Sequence, residues 1–255
     1  MSASRKIYYA LKNNMTKRKI LVFGASGEIG GRVARGCVEA GYKVTGISRG
    51  TNKRQAVDLF RVEMIHGDKR DENFIRDTVS RLDFDAVIDS VPNFDCFKIG
   101  PDRVPLELWG GQYIKFFKRL KAHLPVAILP CQHILLLSGS SSDLADAFVQ
   151  ALSHPEKVCG EIFIISCKRA ITLGQYLQTA MEQLGSRSEI QTVSAGELMK
   201  IHPGIQWEFG PEFLLEHICF DISKAEGTFG YKPLKSTEYG LRDALQWCQE
   251  AGMLS

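Results

Sequence analysis

A doubly wound α/β fold, a parallel sheet followed by a smaller C-terminal α/β lobe, is what this sequence predicts, and three observations predict it. An apolar run, "KILVFG" at 19–24, breaks into glycines at 24, 27 and 30 and then into a helical pattern. Short apolar runs alternate with helical stretches as far as residue 92. Beyond Pro92 the rhythm changes, with three prolines in the fourteen residues of "PNFDCFKIGPDRVP". Strands that alternate with helices imply βαβ units, because parallel neighbours need a crossover between them.

Each element follows in order. "KILVFG" reads as a fully buried strand, since nearly every position is apolar. Ile29, Val33 and Cys37 recur every four residues and Gly41 supplies a stop, which predicts a helix of about three turns. "YKVTGIS" (42–48), "VEMIHGD" (62–68) and "DAVIDSVP" (85–92) are the second, third and fourth strands, with helical material between the last two. Past the proline-rich stretch, "YIKFFKRLKAHL" places Tyr113, Phe117, Leu120 and Leu124 on one helical face. Asp143 is placed as the cap of a helix with a Leu144, Phe148, Leu152 stripe, and "GEIFIIS" (160–166) as a strand. Thr172 and Gln175 form a capping box for a helix that runs to Gly185, with Leu177, Met181 and Leu184 inward. "YGLRDALQWCQEAG" is the last helix. The division is a basic leader at 1–17, a nucleotide-binding part at 18–93 and a C-terminal part at 94–255.

The composition narrows the function classes. The chain has 255 residues, 44% hydrophobic and 24% charged, ordinary for a globular protein with a sizeable core. No run approaches the ~18 apolar residues of a membrane helix, so no membrane partner is expected. Seven cysteines are scattered without a C-x-x-C pair, which argues against a disulfide framework or a zinc ribbon and for a reducing, cytoplasmic setting. The net charge of +3 is uneven: Arg5, Lys6, Lys12, Lys17, Arg18 and Lys19 stand without an acid in the first 19 residues. That arm lacks an apolar h-region and reads as a disordered leader ahead of the fold, or as the product of an upstream start with Met15 the usual beginning; an organellar-targeting or nucleic-acid-binding arm is the other reading. The six histidines do not cluster, and no metal site is expected.

The glycine spacing is that of a Rossmann-type turn receiving a pyrophosphate. Gly24 allows the tight turn, Gly27 the approach of backbone N–H groups to phosphate, and Gly30 close packing of helix on strand. Strand before and helix after are the context that confirms the motif. Gly24, Ala25, Ser26, Gly27, Glu28, Ile29 and Gly30 are therefore the expected cofactor loop. Where the second strand ends, an acid would accept from the 2′-hydroxyl of NAD; Arg49 stands there instead and favours the 2′-phosphate of NADP. Asp68 in "GDKRD" is expected to accept from the adenine amino group, and Ser90, Val91 and Pro92 to line the middle of the cofactor.

These pieces together resemble the extended short-chain dehydrogenase/reductase family, the NAD-dependent epimerases and dehydratases. "GASGEIG" matches its G-x-x-G-x-x-G and "HGDKRD" its aspartate turn after the third strand. "RLKAHLPVAILP", the segment from "DLADAFVQAL" through "GEIFIIS" to "ITLGQYLQTAMEQLG", and "DISKAEGTFGYKP" are similar to the second half. The resemblance covers roughly 18–93 and 98–250. The "SRG" ending and the helix before "LKAHLP" are similar to the chloroplast stem-loop-binding branch. The resemblance implies a nucleotide-sugar substrate and hydride exchange with a sugar carbon, driven by a tyrosine with a lysine four residues later and a serine or threonine on the same oxygen.

That catalytic segment is missing here. Y-x-x-x-K occurs as Tyr8/Lys12, ahead of the first strand, and as Tyr231/Lys235, where Pro233 interrupts any helix. "DSVPN" runs almost directly into "FDCFKIGPDRVP", where the family carries its fifth strand, serine, Y-x-x-x-K helix and sixth strand. "HILLLSGSSS" (133–142), with Ser138 or Ser140, is the one substitute for the serine strand, and otherwise a strand and turn beside a substrate pocket. Losing the fifth strand leaves the edge of "DAVIDS" open: "HILLLS" pairs there, a second copy in a homodimer covers it, or the protein is poorly soluble. Three readings stay open: an NAD(P)-binding epimerase-type protein without the usual catalysis, a non-redox RNA-binding or regulatory relative, and a shortened form of an active enzyme. The RNA reading rests on Lys115, Lys118, Arg119 and Lys121 interleaved with Tyr113 and Phe116.

Overall fold

The computed structural model describes residues 18–50, 58–90, 114–201 and 215–255. The chain divides into two compact units, Met1–Cys96 with Leu144–Glu161 and Phe97–Asp143 with Ile162–Ser255. In the first unit, β1 (Lys19–Phe23), β2 (Lys43–Ser48), β3 (Val62–His66) and β4 (Ala86–Asp89) form one parallel sheet in the order β3-β2-β1-β4. This is the α/β arrangement with a parallel sheet that the alternation of elements predicts. β1 lies between β2 and β4, and Ile20, Leu21 and Val22 are buried, which is why its sequence is apolar on both faces.

Helices α1 (Glu28–Glu39) and α2 (Glu72–Arg81) serve opposite faces of this sheet. Val33, Ala34 and Cys37 of α1 pack on Ile20, Val22, Val44 and Ile88. Phe74, Ile75 and Val79 of α2 pack on Leu21, Phe23 and Ile47. The Asp71 carboxylate accepts from the N–H groups of Asn73 and Phe74 and caps α2. The α1 face gains a third layer from far along the chain. Ala145, Phe148, Val149 and Leu152 of the helix Ser141–Ala151 and the residue after it join the same core. Cys37 sits inside it, and burial pushes its thiol up to about 12.

In the second unit, Val126–Ile128 pairs in parallel with Ile190–Thr192, and Leu135–Leu136 pairs antiparallel with Ile171–Thr172. Phe117 and Leu120 of the helix Ile114–Lys121 join Tyr176 and Leu177 of the helix Leu173–Leu184, and Leu241 and Leu245 of the helix Thr237–Glu250, in one core. Thr172 and Gln175 form both arms of the capping box, and Gly185 ends that helix at φ 62°. Tyr113 lies outside the described residues.

Four elements differ from the sequence reading. "GEIFIIS" is irregular rather than a strand: Ile162 and Ile164 are exposed, and only Ser166 at its end is buried, with Cys167 just past it. Asp143 is not a cap. The helix begins at Ser141, and the Asp143 carboxylate, buried within its first turn, accepts from Leu234 and Lys235 N–H at 3.2 Å each. The "HILLLS" segment does not extend the main sheet, because Leu135 and Leu136 take their partners from Ile171–Thr172. β4 thus has β1 on one side and, among the described residues, no strand on the other. The last helix starts at Thr237, two residues early, because the Ser236 hydroxyl accepts from Tyr239 N–H.

Among the described residues, no helix is long and apolar enough to cross a membrane. The six described cysteines carry free thiols.

Candidate functional site

The turn between β1 and α1 is built by its glycines. Gly24 takes φ 80°, a left-handed conformation that favours glycine, and its N–H donates to Ile47 O on β2 at 2.8 Å. Gly27 N–H donates back to Gly24 O at 2.7 Å and closes the turn. Gly27 is also the N-cap of α1 and carries no capping side chain itself. The first intrahelical bond runs from Gly31 N–H to Gly27 O. The N–H groups of the first turn, Glu28 to Gly30, head the helix dipole. An anion is the natural occupant of such a terminus.

Gly30 is the packing glycine. A Cβ on it would stand 2.6 Å from Gly24 C and run into Gly24 O and Ser90 Oγ. Ser90 N–H and its hydroxyl both donate to Phe23 O, at 3.2 and 2.6 Å, so the end of β4 is fastened to the end of β1 directly behind Gly30. Ala25 is fully buried in the core beneath the turn, and Ile29 packs on the same core. Glu28 lies 3.8 Å from Arg32 one turn on. Two further glycines that sequence reasoning passed over shape this edge. Gly46 on β2 leaves the room that Ala25 fills, its own Cβ position being 2.6 Å from the Ala25 methyl. Gly67 leaves room for the Phe74 ring. Their signal was a glycine inside a strand and one just past a strand, each marking close approach of another group.

The C-terminal ends of β2, β3 and β4 carry the remaining candidates. Arg49 follows β2 and is exposed. Asp68 follows β3, and its carboxylate is already engaged. Arg70 donates to it from Nη2 at 2.7 Å, from Nε at 3.1 Å and from its backbone N–H at 3.0 Å. The Arg70 side chain, its backbone N–H and the more distant charge of Arg49 hold Asp68 down to about 2. A depressed carboxylate contributes stability that is complete above its ordinary value of 3.8 and is lost as pH falls through about 2. Arg70→Ala is expected to move the Asp68 titration up only part of the way to the ordinary carboxylate range, since the backbone N–H of residue 70 still donates, read by carbon-13 NMR of the carboxyl between about pH 5 and about pH 1.5. No movement of that titration would show that Arg70 is not its cause. Val91 and Pro92 lie outside the described residues.

The structure separates the catalytic candidates. Tyr231 is buried and its hydroxyl donates to Ser166 O at 2.9 Å, while Lys235 Nζ pairs with Asp243 at 2.7 Å. The two side chains serve different partners. Ser138 O accepts from Cys167 Sγ, and Ser140 Oγ lies 2.7 Å from Ser142 Oγ. Tyr8 and Lys12 lie outside the described residues. On the basic helix, Lys118 donates to Ser255 O at 3.0 Å and Arg119 grips Pro125 O with two N–H groups. Among the described residues, no group of three or more His, Cys, Asp or Glu is placed to hold a metal ion.

Residues 20–93, which hold this turn and, but for Lys19, the four strands of the sheet, match the NAD dependent epimerase/dehydratase family model. The chain is 30% identical over 144 residues to the chloroplast stem-loop binding protein of 41 kDa b from Arabidopsis thaliana. That match spans 55% of this chain and 34% of the relative, so the chain matches about a third of the relative's length. Its fold is similar to UDP-glucose 4-epimerase from Thermotoga maritima, solved with UDP-glucose: TM-score 0.68, 14% identity, 91% of this chain and 99% of the other. UDP-glucuronic acid 4-epimerase from Bacillus cereus, solved with NAD, gives a TM-score of 0.64 at 14% identity, over 91% and 99%. An epimerase from Methanothermobacter thermautotrophicus gives 0.69 at 13% identity, over 93% and 94%. Residues 20–93 thus match the model of the NAD dependent epimerase/dehydratase family, and the chain has the fold of solved epimerases.

Proposed function

We propose that the first unit binds a nicotinamide dinucleotide, NADP in preference to NAD, in a cytoplasmic protein of the nucleotide-sugar epimerase type that lacks the usual tyrosine and lysine catalysis. The turn at Gly24, Gly27 and Gly30 carries this reading. It presents a helix start with glycine as its N-cap, and the next glycine is pressed so close to β1 that no side chain fits. Those features suit a pyrophosphate on backbone N–H groups. The nicotinamide, when bound, supplies hydride exchange with a hydroxyl-bearing sugar carbon. Arg49, an exposed cation at the end of β2 where NAD binders place an acid, supports the 2′-phosphate.

The want of catalysis is supported by Tyr231, whose proton is committed to a buried carbonyl, and by Lys235, which is committed to Asp243. Binding without turnover also fits a regulatory role. A second copy paired along β4 would cover that edge, where Val87 is 51% exposed. RNA contact would have to rely on Lys115 and Lys121, since Lys118 and Arg119 already donate to main-chain carbonyls.

Thermal unfolding tests the binding. NADPH at about 100-fold over its Kd stabilises a one-site protein by ~2.7 kcal/mol, roughly 5–10 °C in a chain of this size. Gly27→Val puts a side chain over the helix start and is expected to abolish that rise while its own Tm falls by a few degrees at most. Arg49→Ala is expected to bring the NADPH shift down to the NADH shift. Absence of any shift with both nucleotides at millimolar concentration would overturn the reading.

A further inference from the structure

Lys69, in the turn after β3, donates from Nζ to Asp89 Oδ2 on β4 at 2.9 Å. β3 and β4 are the two outer strands of the sheet. Neighbouring strands lie about 4.8 Å apart, so three spacings, roughly 14 Å, separate them. The ion pair closes that span over the C-terminal ends of β1 and β2. Asp89 stands in register with Phe23, the residue before Gly24, and is followed by Ser90, which is tied to Phe23 O behind Gly30. The pair therefore lies at the C-terminal end of the sheet, on the face that α2 covers, and at the end where a doubly wound sheet takes its ligand. Lys69 has a side-chain exposure of 25% and Asp89 of 50%, so solvent and salt screen the pair only in part.

We propose that Lys69 and Asp89 form a strap across the nucleotide crevice, and that an arriving dinucleotide displaces Asp89 and takes Lys69 as a cation for its phosphates. This rests on the dinucleotide reading above. Lys69 would then act with Arg49 as a second positive group on this edge. It is a positioning and affinity residue that no glycine motif reports. The strap neutralises Lys69 at rest and sets a cost against weakly charged ligands, so it also selects for the phosphate-rich dinucleotide. Because a half-exposed ion pair is a modest obstacle, its release is worth a few-fold in affinity rather than orders of magnitude.

A double-mutant cycle on NADPH affinity, read by nucleotide fluorescence titration of the full chain, tests it. Asp89→Asn removes the competing carboxylate from Lys69 and is expected to tighten NADPH binding about three- to five-fold. In a Lys69→Met background the same change is expected to gain almost nothing, because no strap remains to release. Charge alone, without a strap, makes the two substitutions additive, so an undiminished Asp89→Asn gain in the Lys69→Met background overturns the proposal. An unchanged or weakened affinity in Asp89→Asn overturns it too, while wild-type binding leaves the dinucleotide reading standing. If neither wild type nor any variant binds NADPH or NADH, both readings fall together. Melting curves of the free proteins within a few degrees of each other establish that all four share one fold.

Discussion

Gly30→Ala is expected to lower the stability of the free protein by about 3 kcal/mol, seen as a Tm fall of roughly 6–12 °C. The added methyl has nowhere to go. Its position is 2.6 Å from Gly24 C, and Gly24 O and Ser90 Oγ are nearer still. Two of those three atoms are main chain in a turn already fastened by Gly24 N–H to Ile47 O and Gly27 N–H to Gly24 O. Relief therefore requires α1 to back away from β1, which opens the core under Val33 and Cys37. Removing the Ser90 hydroxyl as well, in Gly30→Ala/Ser90→Ala, is expected to restore only a minor part, since the main-chain contacts remain. Gly227→Ala is the control of opposite sign. It lies in the helix Ser223–Phe229 with nothing within 4 Å of the new methyl, and better helix propensity should stabilise by about 0.5–1 kcal/mol. A Gly30→Ala protein as stable as wild type would mean that α1 does not sit this close to the sheet.

Asp143→Ala is expected to cost about 2–4 kcal/mol, again read by thermal or denaturant unfolding. The carboxylate is 2% exposed and accepts from two consecutive main-chain N–H groups, those of Leu234 and Lys235. Alanine removes two part-buried, charge-assisted bonds from these N–H groups, each worth about 1.5–3 kcal/mol before water replaces part of it. Asp143→Asn keeps one oxygen and turns the other position into a donor facing a donor, so its loss should be intermediate. The effect has a second expected signature. The 234–235 segment leads into the cap at Ser236, so faster amide exchange at Leu234, Lys235 and Tyr239 should accompany the lost stability. Slow exchange there in the alanine variant would show that another group holds the segment.

Much of the first unit was legible because its signals are local. The run of apolar residues in β1 needs no partner to be recognised, and glycines at 24, 27 and 30 carry their own geometry. The capping box at Thr172 and Gln175 was equally plain, since both arms lie within four residues. The errors fell where pairing or distant contacts decide. "GEIFIIS" has strand composition, yet Ile162 is 85% exposed and no ladder forms along it. Asp143 has the residue type of a cap, but donors 91 and 92 residues away took its carboxylate. Leu135 and Leu136 were apolar enough for the main sheet and paired with Ile171–Thr172 instead.

The candidate site divides the same way. Gly24, Gly27, Gly30 and the placement of Arg49 and Asp68 at strand ends came from spacing alone. That Asp68 is gripped by Arg70, that Ala25 turns inward, and that Lys69 reaches Asp89 were invisible in the sequence. Side-chain pairing between β3 and β4 depends on the strand order β3-β2-β1-β4, which no local pattern encodes.

What the sequence by itself determined was the backbone chemistry: where β1 ends, that glycine must turn it, and that a helix start follows. Steric limits at single residues are enough for that. Only the tertiary structure decided which charges meet over that turn, which face the helix Ser141–Ala151 covers, and that Tyr231 is spent on a buried carbonyl. Those outcomes are contacts between residues dozens of positions apart, and they exist only once the chain has folded around its core.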